Sequence, residues 1–270
     1  MTELTIDAGG VALAGEENGD GVPVVLLHGL TATRRYVVMG SKNLERSGHR
    51  VIAYDARGHG RSAPAGDPDA YGYDVLARDL LAVLDDRGID RAVLAGASMG
   101  AHTLVRFALE HPERAAALVI ITPAFDPDTP ERGLDRWDAL ARGLREGGVD
   151  GFIAAYGEPR VPERFRETVR TVLRQRLSAH EHPEAVADAL RVVPRSAAFD
   201  SWDALGALDL PVTVVASRDE ADREHPYATG VRYAEAIPGA RLVSEEEGKS
   251  PLAWQGGQLS AVIAETAAAG

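Results

Sequence analysis

Short runs of branched aliphatic residues, each closing on turn residues and followed by a helical pattern, constrain this chain more than any other feature. Residues 22–29 read VPVVLLHG, 50–60 RVIAYDARGHG, 91–100 RAVLAGASMG, 116–124 AALVIITPA and 210–219 LPVTVVASRD. A weaker last member is ARLVSEEE, 240–247. These runs do not alternate apolar with polar residues, so each should be buried on both faces, as strands of a parallel sheet are. An opening hairpin is expected over LTIDAGGVALAGEE, with Gly9 and Gly10 as its turn. Between the runs lie helical patterns at 74–87, 100–110, 226–237 and 251–266. In the first of these, Val75, Leu76, Leu80, Val83 and Leu84 recur at helical spacing, with Asp74 as the expected N-cap and Gly88 as the stop. Strand–helix alternation of this kind predicts a doubly wound, mostly parallel α/β sheet.

The alternation breaks between 126 and 205. Helical patterns at 134–146, 149–156, 162–178 and 183–191 follow one another without a strong strand. The expected organisation is a core of residues 1–125 and 206–270 with a helical cap at 126–205. The chain of 270 residues is long enough for one large domain with such an insertion.

Composition removes several function classes. Cysteine is absent, which excludes disulfides, a cysteine nucleophile and cysteine-ligated zinc. The net charge of −12 argues against nucleic acid, whose phosphates require a positive surface. No apolar run approaches a membrane span, and MTELTIDAGG lacks the basic and apolar regions of a signal peptide, so a cytoplasmic location is expected. The His180-x-His182 spacing has no partnering ligands, and neither a metal nor a cofactor is expected. The expected partner is a small-molecule substrate, with no nucleic acid and no membrane; a homodimer is left open.

The segment GASMG, 96–100, matches G-x-S-x-G between an expected strand and an expected helix. That context gives the pattern its meaning. Such a turn lifts the Ser98 hydroxyl above the sheet and sets the Met99 N–H at a helix N-terminus, where developing negative charge is favoured.

The chain here resembles the α/β-hydrolase superfamily. LLHGL (26–30) is similar to its His-Gly oxyanion loop, YDARGHGRS (54–62) to its Asp-x-Arg-Gly-His-Gly-x-Ser turn, and GASMG to its nucleophile elbow. The resemblance implies that backbone N–H groups of Leu30 and Met99 form an oxyanion hole. It also implies that His28, Arg57 and His59 shape loops. The superfamily's order of serine, acid and histidine places the acid in SRDEADREHP (217–226). Asp222, with its spacing to Pro226, is preferred to Asp219, and Glu220 and Glu224 are expected in solvent.

The histidine should then follow the last strand. That position reads Gly248-Lys249-Ser250-Pro251, and no histidine occurs after His225. Lysine is scarce: of 29 Lys and Arg residues only Lys42 and Lys249 are lysines. Three assignments are open. His225, three residues past Asp222, is the preferred base. Lys249 is the alternative base or an anion binder. In the third, ordinary hydrolysis is lost. The expected function is therefore a cofactor-independent serine hydrolase of a small carboxylic ester, thioester or lactone. The alternative is a non-hydrolytic protein on the same fold, a lyase or a ligand-binding receptor. Trp137, Phe152, Tyr156 and Phe165 are aromatic candidates in the 126–205 segment from which a substrate pocket could draw, though such residues more often belong to the core.

Overall fold

The structure, a computed structural model, describes residues 2–270 apart from 130–132, 220, 221 and 223. Gly9 and Gly10, both at positive φ (66° and 91°), close a hairpin between β1 (Thr2–Asp7) and β2 (Ala12–Asn18). Two such residues in succession are what a tight hairpin turn requires, and glycine adopts that conformation without a Cβ clash. The remaining strands are β3 (Val22–Leu27), β4 (His49–Tyr54), β5 (Ala92–Ala97), β6 (Ala115–Ile121), β7 (Val212–Val215) and β8 (Arg241–Val243). They form one eight-stranded sheet in the order β1-β2-β4-β3-β5-β6-β7-β8. Among the described strands only β1–β2 and β2–β4 pair antiparallel; the other pairs are parallel. The fold is a doubly wound α/β sheet.

The uninterrupted apolar runs follow from burial on both faces. Along β3, Val25 and Leu27 enter one core cluster while Val24 and Leu26 enter the other. On β6, Leu118 and Ile120 face the first cluster, and Val119 and Ile121 the second. The first face is covered by α2 (Tyr73–Asp86), α3 (Met99–Glu110) and α7 (Tyr227–Ala236); the second by α1 (Asn43–Arg46) and α8 (Gly256–Ala267). Helix α2 presents Leu76, Leu80, Val83 and Leu84, all fully buried. Each such side chain contributes about 1.5–3 kcal/mol through the apolar surface it removes from water.

Two local expectations change. The N-cap of α2 is Gly72, not Asp74. The Ser196 hydroxyl, from outside the helix, accepts the Tyr73 N–H at 2.8 Å, so capping there needs no local carboxylate. Asp74 instead lies in the first turn and pairs with Arg78. The last strands are shorter than their apolar runs suggest. Beyond β7, the Arg218 N–H donates to the Glu245 carboxylate and the Asp219 N–H to Ser217 Oγ (3.0 Å). Side chains have replaced ladder partners there.

From 134 to 192 the described residues form three helices and short turns, with no strand: α4 (Leu134–Tyr156), α5 (Glu163–Leu177) and α6 (Pro183–Val192). Gly148 (φ 58°, ψ −146°) breaks α4 into two parts, where the sequence pattern also divides. Leu140, Leu144, Phe152, Leu177, Val186 and Leu190 form a separate cluster against which Leu30 packs. The helices also reach the core through the Glu181 N–H, which donates to the Gly60 carbonyl at 2.9 Å, and through an Arg136–Glu224 ion pair. Leu30, Gly60 and Glu224 lie in the loops after β3, β4 and β7. The helical segment therefore sits over the C-terminal edge of the sheet, where open α/β sheets bind ligands.

Candidate active site

Ser98 stands between β5 and α3 with φ 51° and ψ −113°. A non-glycine residue at such angles carries strain of about 1–3 kcal/mol. The surroundings hold it there. Its N–H donates to the Ile121 carbonyl (2.9 Å) and its carbonyl accepts the His102 N–H (3.0 Å). The flanking glycines are required by space: a Cβ on Gly96 would lie 2.4 Å from the Gly100 carbonyl oxygen, and one on Gly100 2.2 Å from that of Leu27.

Asp222 and His225 lie in the segment joining β7 to α7. Strand β6 separates β7 from β5, so this segment must arc over the end of β6 to reach Ser98. His225 completes the span. Its Nε2 lies 2.8 Å from Ser98 Oγ, and its Nδ1 lies 2.8 Å from each Asp222 carboxylate oxygen. Burial pushes the Asp222 pKa up, but the charges and hydrogen bonds of His225 and the charge of Arg176 outweigh it, and the carboxyl is held below its ordinary value. An ionised Asp222 accepts Nδ1–H. That leaves the Nε2 lone pair facing the serine hydroxyl.

Met99 opens α3, so its N–H has no intrahelical acceptor. The Leu30 N–H donates to no protein acceptor among the described residues. The Leu30 peptide is fixed from its other side, where its carbonyl faces His59 Nε2 at 2.7 Å. His59 Nδ1 faces the Arg57 carbonyl at 2.9 Å. Nearby, His28 Nε2 accepts the Ala56 N–H (2.9 Å) and its Nδ1–H donates to the Gly29 carbonyl (2.8 Å). Arg57 forms two bonds with Asp79, at 2.6 and 2.7 Å. Each of these groups braces the loops carrying Leu30.

Lys249 lies outside this constellation. Its side chain is exposed in the turn after β8, and its N–H donates to the Glu246 carbonyl. Asp222 meets His225 through both carboxylate oxygens, and the Asp219 N–H donates to Ser217 Oγ. Glu224 is exposed and ion-paired to Arg136, and Glu220 lies outside the described residues. Among the aromatic candidates, Phe152 is buried and stacked on Tyr156, Trp137 is partly buried against the same cluster, and Phe165 lies beneath Arg164.

Two histidines take structural positions that their place in the sequence does not signal. His102 Nε2 accepts the N–H groups of Ala124 and Phe125 (2.9 and 3.0 Å), and its Nδ1 meets Tyr73 Oη at 2.8 Å. His180 joins the helical segment to the core: its Nδ1 accepts the Gly60 N–H at 2.8 Å and its Nε2 faces the Thr31 carbonyl at 3.2 Å. No group of three or more metal-ligating side chains occurs among the described residues. No described helix is long and apolar enough to cross a membrane.

Known proteins share this arrangement of strands and loops. A family model described as alpha/beta hydrolase fold matches residues 22–219. A 2-hydroxy-6-oxononadienedioate/2-hydroxy-6-oxononatrienedioate hydrolase of Pseudomonas putida is 31% identical over 232 residues, covering 81% of this chain and 78% of its own. A thermophilic esterase from Thermogutta terrifontis, solved with malate bound, superposes with a TM-score of 0.80 at 28% identity, covering 98% of this chain and 97% of its own. An enol-lactonase from Burkholderia xenovorans LB400 shares the fold with a TM-score of 0.74 at 23% identity, covering 98% and 96% of the two chains.

Proposed function

The chain belongs to the alpha/beta hydrolase fold family and is a hydrolase, and from that premise we propose that it cleaves small carboxylic esters, thioesters or lactones through an acyl-enzyme on Ser98. The observation that carries this reading is the continuous Ser98–His225–Asp222 relay, with 2.8 Å at each step. The geometry meets the hydrogen-bond reach required between a nucleophile, its base and the group orienting that base.

The steps follow from the positions. Ser98 Oγ attacks the substrate carbonyl carbon while His225 Nε2 takes the hydroxyl proton. The imidazolium formed is stabilised by the Asp222 carboxylate. The carbonyl oxygen becomes an oxyanion facing the N–H groups of Leu30 and Met99, which have no competing acceptor among the described residues; the dipole of α3 adds to the effect of the second. Collapse breaks the bond to the leaving alcohol, thiol or ring oxygen, which takes the proton from His225. Water then attacks the acyl-enzyme with His225 again as base, releasing the acid and restoring Ser98.

The helices of residues 134–192 act in this reading as a cap that selects the substrate. The lyase and receptor readings were motivated by the absence of a histidine after β8, and His225 beside Ser98 removes that motive. Stoichiometric labelling of the wild type by a fluorophosphonate probe, lost in Ser98→Ala together with p-nitrophenyl ester turnover, is the expected result. Undiminished turnover by Ser98→Ala protein would refute it.

A further inference from the structure

Helix α5 carries a cation that forms no ion pair among the described residues. Of its four other arginines, Arg166 pairs with Glu158, Arg170 with Glu167 and Arg174 with Asp150, and Arg164 lies over the Phe165 ring. Arg176, in the last turn, forms no ion pair among the described residues, and its Nε is sealed from solvent without a hydrogen-bond partner. Its guanidinium lies 5.3 Å from the centre of the Tyr36 ring. The side chain is half-buried, and an aromatic face stabilises a cation drawn from water far less than a paired anion does.

The missing partner is not available within the site. Asp222 is the nearby carboxylate whose charge acts on Arg176, but His225 Nδ1 already lies 2.8 Å from both of its oxygens. Tyr36 closes the turn that follows the Leu30 loop, and Asp222 is the acid of the relay. Arg176 therefore bridges two sides of the site from the helices above it. A planar fork of donors so placed fits a carboxylate, which accepts two parallel N–H bonds. Tyr36 would hold the fork in register by stacking.

We propose that Arg176 recognises a carboxylate on the substrate, so that the preferred substrates are esters, thioesters or lactones bearing a second, anionic carboxyl group. The inference rests on the serine hydrolase reading for its reaction but not for its binding site, and the two can fail separately.

The test compares p-nitrophenyl propionate with the mono-p-nitrophenyl esters of succinate and glutarate. The wild type should favour the carboxylated esters. In Arg176→Gln the ratio of kcat/KM, carboxylated over neutral, should fall about 10- to 100-fold, the range of a charge-assisted pair. Arg176→Lys should fall in between, since it keeps the charge but not the fork. A ratio is insensitive to any misfolded fraction and to effects on Asp222, which alter both esters alike. An unchanged ratio would overturn the proposal. Calorimetric titration of glutarate into Ser98→Ala protein reads the site without turnover: binding should weaken by a similar factor when Arg176→Gln is added, and equal binding would again overturn it. If the wild type turned over no ester, the hydrolytic reading would fall while this titration still decided the role of Arg176.

Discussion

Acid should destabilise this protein well before its carboxylates titrate, because three histidines are buried in neutral form. His28, His102 and His180 each accept at least one backbone N–H on a ring nitrogen, and burial lowers their pKa from 6.5 to about 3. Protonation would remove that acceptor and leave a charge in the core. The unfolded chain takes up these protons first, so the stabilisation is complete above pH 6.5 and is lost as pH falls toward 3. Between pH 7 and pH 5 the linkage relation gives about 2 kcal/mol for each histidine, or roughly 6 kcal/mol for three. The figure depends little on the folded value so long as that value lies well below 5. It is comparable with the whole stability of many domains, about 5–15 kcal/mol. Urea titrations at pH 7, 6 and 5, followed by the fluorescence of Trp137, Trp202 and Trp254, should show the midpoint falling steeply at constant slope. His102→Gln should be less stable at every pH, yet its difference between pH 7 and 5 should be smaller by about 2 kcal/mol. Equal midpoints at pH 5 and 7, or an unaltered pH difference in the variant, would refute the assignment of neutral buried rings.

His225→Ala should lower kcat/KM for a p-nitrophenyl ester by about a thousandfold or more, the scale on which loss of a base in such a relay is felt. Lys249→Met, at an exposed turn, should remain within about twofold of wild type, in keeping with the ±0.5 kcal/mol of ordinary surface substitutions; a large loss there with little effect at His225 would transfer the base to Lys249. Arg57→Met should lower stability by about 3–5 kcal/mol because it strands the Asp79 carboxylate, which is 2% exposed. Adding Asp79→Leu should recover most of that loss in urea titrations, and equal instability of single and double variants would mean that the pair matters for packing and not for charge.

The sheet was legible in the sequence because burial on two faces leaves nothing to alternate: VVLL and LVII are apolar at every position since neighbours point into different clusters. The turn carrying Ser98 was legible because its geometry demands glycine at 96 and 100, where a Cβ would strike backbone atoms. The same spacing argument could nominate His225 but could not bring it to Ser98. Its reach depends on the arc of the β7–α7 segment over β6, which is tertiary. Arg176 carried no local signal at all, being one arginine among several on a polar helix. What distinguishes it is an Nε without a hydrogen-bond partner among the described residues, and a missing contact leaves no pattern in a chain. Likewise His102 and His180 are recognisable only by the backbone groups they meet, which come from 22 and 120 residues away.

Placement of the candidate acid and base on one segment, three residues apart, accounts for what a lysine after β8 could not supply. A base facing Ser98 must present a lone pair at neutral pH. An imidazole does so even beside a carboxylate, because the carboxylate accepts the proton on one nitrogen and leaves the other free. An ammonium has no second nitrogen. Beside Asp222, held in its charged form by His225 and Arg176, a lysine would be driven further toward protonation and would offer only donors. Replacing the histidine after β8 by Lys249 is therefore compatible with serine chemistry only if an imidazole reaches Ser98 from elsewhere. The β7–α7 segment is where the structure provides one, and that leaves the turn carrying Lys249 free to lie in solvent.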